Sequence, residues 1–197
     1  MLLACHRSRM LTIVALVVTA AGLSIVRIPA QAESDRYILL QAESFDGVGT
    51  DPTKGWAISQ QPGDKGLYGN FKVAVVAAWM VKNAVISTIV DVPHGGDYAV
   101  WVRHFNLKSD KENYNLNFLL AIIQDGEVLV EHRFAVESKG GWDVWLWDRA
   151  DQTVPLKEGK VTVVIIASDG AQGNRGVDAV LLTPDLSLDP NKEDIPL

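Results

Sequence analysis

Residues 114–136 read YNLNFLLAIIQDGEVLVEHRFAV, and this stretch decides the fold class. Two aliphatic-rich runs, 114–124 and 127–136, flank the dipeptide Asp125-Gly126. Asp-Gly is favoured in two-residue turns whose central residues both need a positive φ, so the pattern predicts an antiparallel β-hairpin. Apolar residues alternate from Leu116 to Ile122, which assigns that side of the first strand to a core.

Comparable runs recur on both sides of this hairpin. They cover residues 37–43, 83–92, 97–105, 142–147, 161–168 and 177–183, and the run 72–80 fits either a strand or a buried irregular segment. Strands spaced about ten residues apart, with no amphipathic helical pattern, are typical of sandwiches and jelly rolls. The sequence therefore predicts an all-β fold, a β-sandwich or jelly roll of about eight to nine antiparallel strands.

Alternation within two of these runs predicts which aromatic side chains face the core. In 97–105, Tyr98, Val100 and Val102 share one face, and Trp101 lies on the other. In 142–147, the side chains divide into two sets, one with Trp142, Val144 and Leu146 and the other with Asp143, Trp145 and Trp147. We assign Trp142 to the core, which leaves Trp145 and Trp147 on the opposite face.

The N-terminus has the order of features expected of an export signal. A short basic start with Arg7 and Arg9 precedes an apolar run over 10–26, and Ala30-Gln31-Ala32 follows as a cleavage pattern. We expect residues 1–32 to be a signal peptide and the protein to be secreted or periplasmic, with no membrane attachment after cleavage. The alternative is an uncleaved anchor. Residues 33–184 would then form the β-sandwich, and 185–197 an acidic flexible tail.

Composition excludes several classes of protein. The net charge is −6, and removal of residues 1–32 leaves 15 basic against 24 acidic residues, a net charge of −9. No basic cluster occurs, so nucleic acid is not expected as a partner. Cys5, the one cysteine, lies in the signal segment, which excludes a disulfide framework and a cysteine zinc site. No Gly-x-Ser-x-Gly or His-Glu-x-x-His motif is present.

Four segments, at 41–45, 96–103, 140–142 and 176–183, carry a family resemblance. They read QAESF, GDYAVWVR, GGW and GVDAVLLT. Their order and spacing resemble the calcium-containing jelly-roll carbohydrate-binding modules of families six and thirty-five. Golvesin-type modules and the sandwich domains appended to some FAD-dependent oxidoreductases look similar. The resemblance covers about residues 37–184 and implies a galactose-binding-like β-sandwich that binds carbohydrate.

The resemblance also implies a structural calcium ion. In those modules an acidic residue near the first strand and an aspartate of the last strand ligate the metal, and the matching positions here are Glu43 and Asp178, with Gln41 as a further ligand. Hard cations prefer several oxygen ligands, so such a site would hold the two ends of the chain together. The alternative is that both carboxylates pair with loop amides.

The sugar site implied by the resemblance combines aromatic platforms with polar loop residues. The loop before the last strand carries Asn174 and Arg175, although those modules often have the asparagine two residues before the aspartate, where this chain has Gly176. Trp56 in a long loop, with Trp145 and Trp147, are the candidate platforms for stacking. The alternative for the tryptophans is core packing, and for the loop pair an ordinary turn.

Together these features predict a secreted, non-catalytic module that binds a glycan or polysaccharide by aromatic stacking and hydrogen bonds. One alternative is a structural or interaction domain whose partner is another extracellular protein. Another is a small jelly-roll polysaccharide lyase or hydrolase, for which the sequence offers no recognisable acid pair.

Overall fold

The computed structural model describes residues 36–59, 74–106, 115–136 and 144–196, and the expected signal segment lies outside this part of the chain. The described residues form eleven strands and one short 3₁₀ helix, Ala42–Ser44. The strands are β1 (Ile38–Gln41), β2 (Ala57–Ser59), β3 (Ala74–Ala77), β4 (Val85–Val92), β5 (Gly96–Asn106), β6 (Phe118–Gln124), β7 (Glu127–Phe134), β8 (Val144–Arg149), β9 (Val154–Leu156), β10 (Gly159–Ala167) and β11 (Arg175–Thr183). The all-β prediction is confirmed. The strand number is higher than expected because β2 and β9 have only three residues each, too few to give an alternating pattern.

The strands form two antiparallel sheets. The larger sheet has the order β2-β3-β11-β5-β8, with β1 also paired to β11 and β9 to β5, and the smaller has the order β4-β10-β6-β7. The hairpin that sequence predicted is β6–β7, and Asp125 and Gly126 have φ values of 53° and 79°. Both turn residues thus have the positive φ that the Asp-Gly preference implies. No helix within the described residues is long and apolar enough to cross a membrane.

One position on β11 interrupts the pairing of the larger sheet. On one side of β11, β3 pairs with residues 175–177 and β1 with residues 179–182. On the other side, the register with β5 shifts between Val177 and Ala179. Asp178 therefore lies in the gap between β3 and β1 and at a bulge against β5, where its side chain can meet groups from outside the ladder.

The core between the sheets follows the predicted alternation. Tyr98, Val100 and Val102 of β5 pack there, as do alternate residues of β6 such as Leu120 and Ile122. Trp101 faces the other way and belongs to a second apolar cluster on the outer face of the larger sheet. That outer cluster consists of Leu39, Ala99, Trp101, Trp147, Ala179, Leu181, Leu188 and Ile195. Trp142, which the sequence assigned to the core, lies outside the described residues.

The C-terminal segment is part of the folded structure, which corrects the expectation of a flexible tail over 185–197. Leu188 and Ile195 are 1% and 8% exposed and pack on the outer cluster. Asn191 continues the edge of β8, since its Oδ1 accepts from the Trp147 N–H at 3.1 Å and its Nδ2 donates to the Trp147 carbonyl at 3.0 Å. We call residues 185–196 the C-terminal strap. Its acidic, proline-bounded composition hid two apolar residues that cover tryptophans distant in sequence.

Candidate functional site

Two loops at one end of the sandwich expose side chains suited to binding. The loop between β3 and β4 carries Trp79 and Met80, whose exposed fractions are 55% and 51%. The loop between β10 and β11 ends at Asn174, which is exposed. The register Arg175 to Ala77 places the end of β3 beside the start of β11, so the two loops leave the sheet next to each other. We call Trp79, Met80 and the loop 169–174 the loop tip.

Arg175 lies beneath the loop tip and is 1% exposed. Its Nη1 donates to the carbonyls of Ser168 at 2.6 Å and Asn117 at 3.1 Å. Its Nη2 donates to the carbonyls of Val81 at 3.2 Å and Trp79 at 3.3 Å. Burial lowers the pKa of Arg175, but a guanidinium remains charged in proteins. Charge-assisted bonds therefore hold the main chain of the β3–β4 loop against the start of β6 and the end of β10.

A second set of hydrogen bonds fixes the β10–β11 loop. The N–H of Gln172 donates to the Asn115 carbonyl at 2.7 Å, and the Gln172 Oε1 accepts from the Asn115 N–H at 3.0 Å. Asn117, 2% exposed, donates from Nδ2 to the carbonyl of Asp169 at 3.3 Å and accepts from Arg133 at 3.0 Å. The loop tip therefore rests on a buried polar network, which gives its exposed side chains a fixed base.

The structure removes two of the three predicted aromatic platforms. Trp56 is 1% exposed; its indole N–H donates to the Ala84 carbonyl at 3.1 Å, and its ring meets Phe118 edge-on at 6.3 Å. Trp147 is 7% exposed beneath the C-terminal strap. Both assignments as surface platforms are wrong. Trp56, in a loop, and Trp147, on the outer face of the sheet, are each covered by segments distant in sequence.

The remaining predicted sugar contacts divide between surface and interior. Trp145 is partly buried, with its ring 5.7 Å from that of Phe105. It also crosses Gly176 so closely that a Cβ there would lie 2.9 Å from the ring. Arg175 is buried, so its assignment as a direct sugar contact is wrong: the chain turns inward at the start of β11. Asn174 is at the surface, as predicted, and lies next to Arg175 in the loop tip.

Sequence reasoning did not select Trp79, which has the largest exposure among the tryptophans that the structure describes. It falls in the apolar run 72–80; within the described part of that run, 74–80, the strand is Ala74–Ala77. The one available signal was the sequence Lys82-Asn83 just after it, which marks a turn; Asn83 has φ 58°. An apolar run without a polar or turn-forming residue inside it does not indicate which of its residues are buried and which are exposed.

Two of the three predicted metal ligands, Glu43 and Asp178, lie close enough to interact electrostatically. Asp178 is 1% exposed, and its Oδ2 lies 3.3 Å from Nη1 of Arg103. Burial raises the pKa of Asp178 to about 7; Arg103 opposes this rise and Glu43 adds to it. Burial also raises the pKa of Glu43, whose Oε2 is buried with no hydrogen-bond partner.

This donor set can accept a hard cation. Asp178 contacts the Arg103 guanidinium and is repelled by Glu43, so a cation between the two carboxylates would relieve the repulsion and satisfy Oε2 of Glu43. Gln41, the third predicted ligand, ends β1 opposite Ala179, the residue that follows Asp178. No group of three or more histidine, cysteine or acidic side chains among the described residues is placed to hold a metal ion. Carbonyl or amide oxygens and water would have to complete the shell.

Comparison with known proteins identifies the fold. No family model and no curated protein matches the sequence. The chain is similar to part of the isomalto-dextranase of Arthrobacter globiformis T6, solved with panose, at 18% identity and a TM-score of 0.52 over 78% of this chain and 24% of that chain. It is also similar to a family 35 carbohydrate-binding module from an environmental isolate (14% identity, TM-score 0.49, 75% of this chain and 93% of that module). The C-terminal family 6 module of the laminarinase LamC from Zobellia galactanivorans gives 19% identity and a TM-score of 0.47, over 75% of this chain and 98% of that module.

At sequence identities of 14–19%, these comparisons show the fold alone. The chain spans about a quarter of the isomalto-dextranase that it matches. The β-sandwich fold that the four sequence motifs indicated is confirmed.

Proposed function

We propose that this protein is a non-catalytic module that binds a glycan at the loop tip. The observation that carries the proposal is the exposure of Trp79: the residue is 55% exposed, on a loop whose main chain is anchored by a buried arginine. A large aromatic side chain presented on a fixed base is suited to a ligand with an apolar face.

Binding would combine stacking with hydrogen bonds and involve no covalent step. The axial C–H groups of a pyranose would cover the Trp79 ring, and Met80 offers a second apolar surface that adapts in shape. Asn174 supplies an amide that can both donate to and accept from sugar hydroxyls. Pre-ordering by Arg175 would reduce the entropy lost on binding.

The likeness to other proteins supports this proposal. Among the similar structures are a family 35 and a family 6 carbohydrate-binding module, and an isomalto-dextranase solved with panose. The β-sandwich fold also serves other functions, so the argument for glycan binding depends on Trp79.

A glycan array probed with the exported protein tests the proposal. We expect binding to at least one glycan, and we expect Trp79→Ala to abolish it without changing the melting temperature. Ile89→Ala is the matched control, because Ile89 is a large apolar residue with a similar exposed fraction, 57%, on β4. An array without binding, or a Trp79→Ala variant that binds normally, would refute the proposal and favour a domain that docks another extracellular protein.

We also propose that Glu43 and Asp178 bind calcium, with Gln41 as a further ligand. Support comes from the unpartnered, buried oxygen of Glu43 and the repulsion between the two carboxylates. A ligand that binds only the folded state stabilises it, by about 2.7 kcal/mol at a hundredfold excess over its Kd. We expect a chelator to lower the melting temperature and Asp178→Asn to remove that sensitivity. Identical melting with and without chelator would contradict the proposal.

Export with cleavage after Ala32 completes the proposal and rests on the N-terminal sequence alone. Sequencing of the mature protein should begin at Glu33. Full-length protein in a membrane fraction would favour the uncleaved anchor.

A further inference from the structure

We infer that Arg175 is a positioning residue for the platform: it sets the conformation in which the β3–β4 loop presents Trp79, and it ties that loop to the loop carrying Asn174. The role in ligand binding rests on the function proposed above. The conformational role can be measured without any ligand.

The geometry of the guanidinium is the first support. Nη2 donates to the carbonyls of Trp79 and Val81, the two residues that flank Met80. Nη1 donates to the carbonyls of Ser168 and Asn117, in the other two segments. One planar side chain therefore joins three segments, and two of its four acceptors belong to the part of the chain that bears the exposed apolar residues.

The exposure of the loop residues is the second support. Because Trp79 and Met80 are more than half exposed, their side chains contribute little packing that could hold the loop in place. Ala78 and Val81, on either side of these two residues, pack in the core, and between them the loop is held by hydrogen bonds of its main chain. Besides the bonds to Arg175, the Val81 N–H donates to the Ala78 carbonyl at 3.0 Å and the Asn83 N–H to the Ala167 carbonyl at 2.8 Å. Neither of these bonds involves the main chain of Trp79 or Met80.

The burial of Arg175 is the third support. At 1% exposure it cannot touch a ligand at the surface, so any effect on binding passes through the loop. The four acceptors are all main-chain carbonyls, so the fork geometry matters as well as the charge. A lysine keeps the charge but has a single ammonium, which cannot reach the acceptors of both Nη1 and Nη2 at once.

The test uses the full chain labelled with 5-fluorotryptophan and observed by ¹⁹F NMR. The resonance of Trp79 is identified by its loss in Trp79→Phe. In Arg175→Lys we expect the Trp79 resonance to broaden or split and the amides of residues 79–81 to exchange faster, while Trp101 and Trp147 keep their wild-type signals. A folded Arg175→Lys protein with an unchanged Trp79 resonance would overturn the inference.

Arg149→Lys is the matched control. Arg149 lies over the ring of Trp101 at 5.8 Å and donates to the carbonyl of Leu186, away from the loop tip. The same substitution there should move the Trp101 signal and leave Trp79 unchanged. A Trp79 response to both substitutions would indicate a general loss of stability and contradict a specific role.

If Arg175→Lys does not fold, the wild type still tests the inference. An anchored loop predicts one sharp Trp79 resonance up to the global unfolding transition, whereas averaging or splitting of that resonance well below the transition would overturn it. If the glycan array shows no binding, the NMR results for Arg175→Lys and for the wild type still test the inference, because both are recorded without a glycan.

Discussion

Tryptophans in two regions of this sandwich have opposite surroundings. On the outer face of the larger sheet, Trp101 and Trp147 are 8% and 7% exposed because the C-terminal strap covers them. At the loop tip, Trp79 is 55% exposed. The fold covers one aromatic surface with its own C-terminus and leaves another open. That contrast makes Trp79 the better candidate for binding.

The strap and the loop tip are also held by different forces. The strap contributes Leu188 and Ile195 to an apolar cluster, and fully burying one leucine is worth about 1.5–3 kcal/mol. Its ion pairs, such as Arg36 with Asp185 at 2.9 Å, are exposed and contribute little. The loop tip depends instead on buried hydrogen bonds to main-chain carbonyls. Substitutions should therefore act on stability in the first region and on presentation of a side chain in the second.

The largest difference is expected between Trp147→Ala and Trp79→Ala. Removing the buried ring of Trp147 should cost about 3–5 kcal/mol, since it leaves a cavity beneath the strap. Removing the exposed ring of Trp79 should change the free energy of unfolding by less than about 0.5 kcal/mol. Urea denaturation of both variants measures this. Equal costs would mean that Trp79 packs as part of the fold and is no open platform.

A smaller loss is expected for Leu188→Ala. The strap can partly close around the missing side chain, so we expect a cost near the lower end for such substitutions, about 2 kcal/mol. Urea denaturation followed by circular dichroism checks the value. Leu186→Ala is the control, because Leu186 is in the same strap but 43% exposed. A Leu188→Ala variant as stable as this control would show that the strap does not stabilise the sheet.

Local pattern was sufficient for the sheets and insufficient for the site. Alternation placed Trp147 on the outer face correctly, and the Asp125-Gly126 turn was confirmed. Whether an outer face meets water depends on segments far away in sequence, and the strap that covers Trp147 is more than 35 residues downstream. Trp56 shows the same limit, because its loop position hid the contacts with Ala84 and Phe118 that bury it.

Charged residues show a second limit of the sequence. Arg175 was assigned to ligand contact because it lies in the loop that the resemblance matches to a sugar site with polar loop residues. Its burial depends on four carbonyls, two of them more than 90 residues away in sequence, and no local pattern reveals such acceptors. Asp178 was predicted as a ligand from the resemblance, and the structure adds that Arg103 lies against it.

The smallest effect is expected from the ion pairs of the strap. Hydrogen bonds from Ser187, and then the bond from Arg36, lower the pKa of Asp185 to about 2. A carboxyl whose pKa is lower in the folded state stabilises that state above its ordinary pKa, near 4, and loses this contribution as the pH falls towards 2. The strap should therefore open more often in acid than at neutral pH.

Arg36→Gln separates the contribution of the ion pair from that of the Ser187 bonds. At pH 6 the amide of Leu188, which donates to the Asp185 carbonyl at 3.1 Å, should exchange faster in Arg36→Gln than in the wild type. At pH 1, below the lowered pKa, the two proteins should exchange alike, since a protonated Asp185 no longer attracts the guanidinium. Lys54→Gln, which breaks the exposed pair with Asp51 in another loop, should leave Leu188 exchange unchanged at both values. If the difference in exchange rate between wild type and Arg36→Gln persisted at pH 1, Arg36 would be holding the strap by packing, and the ion pair would not be the cause.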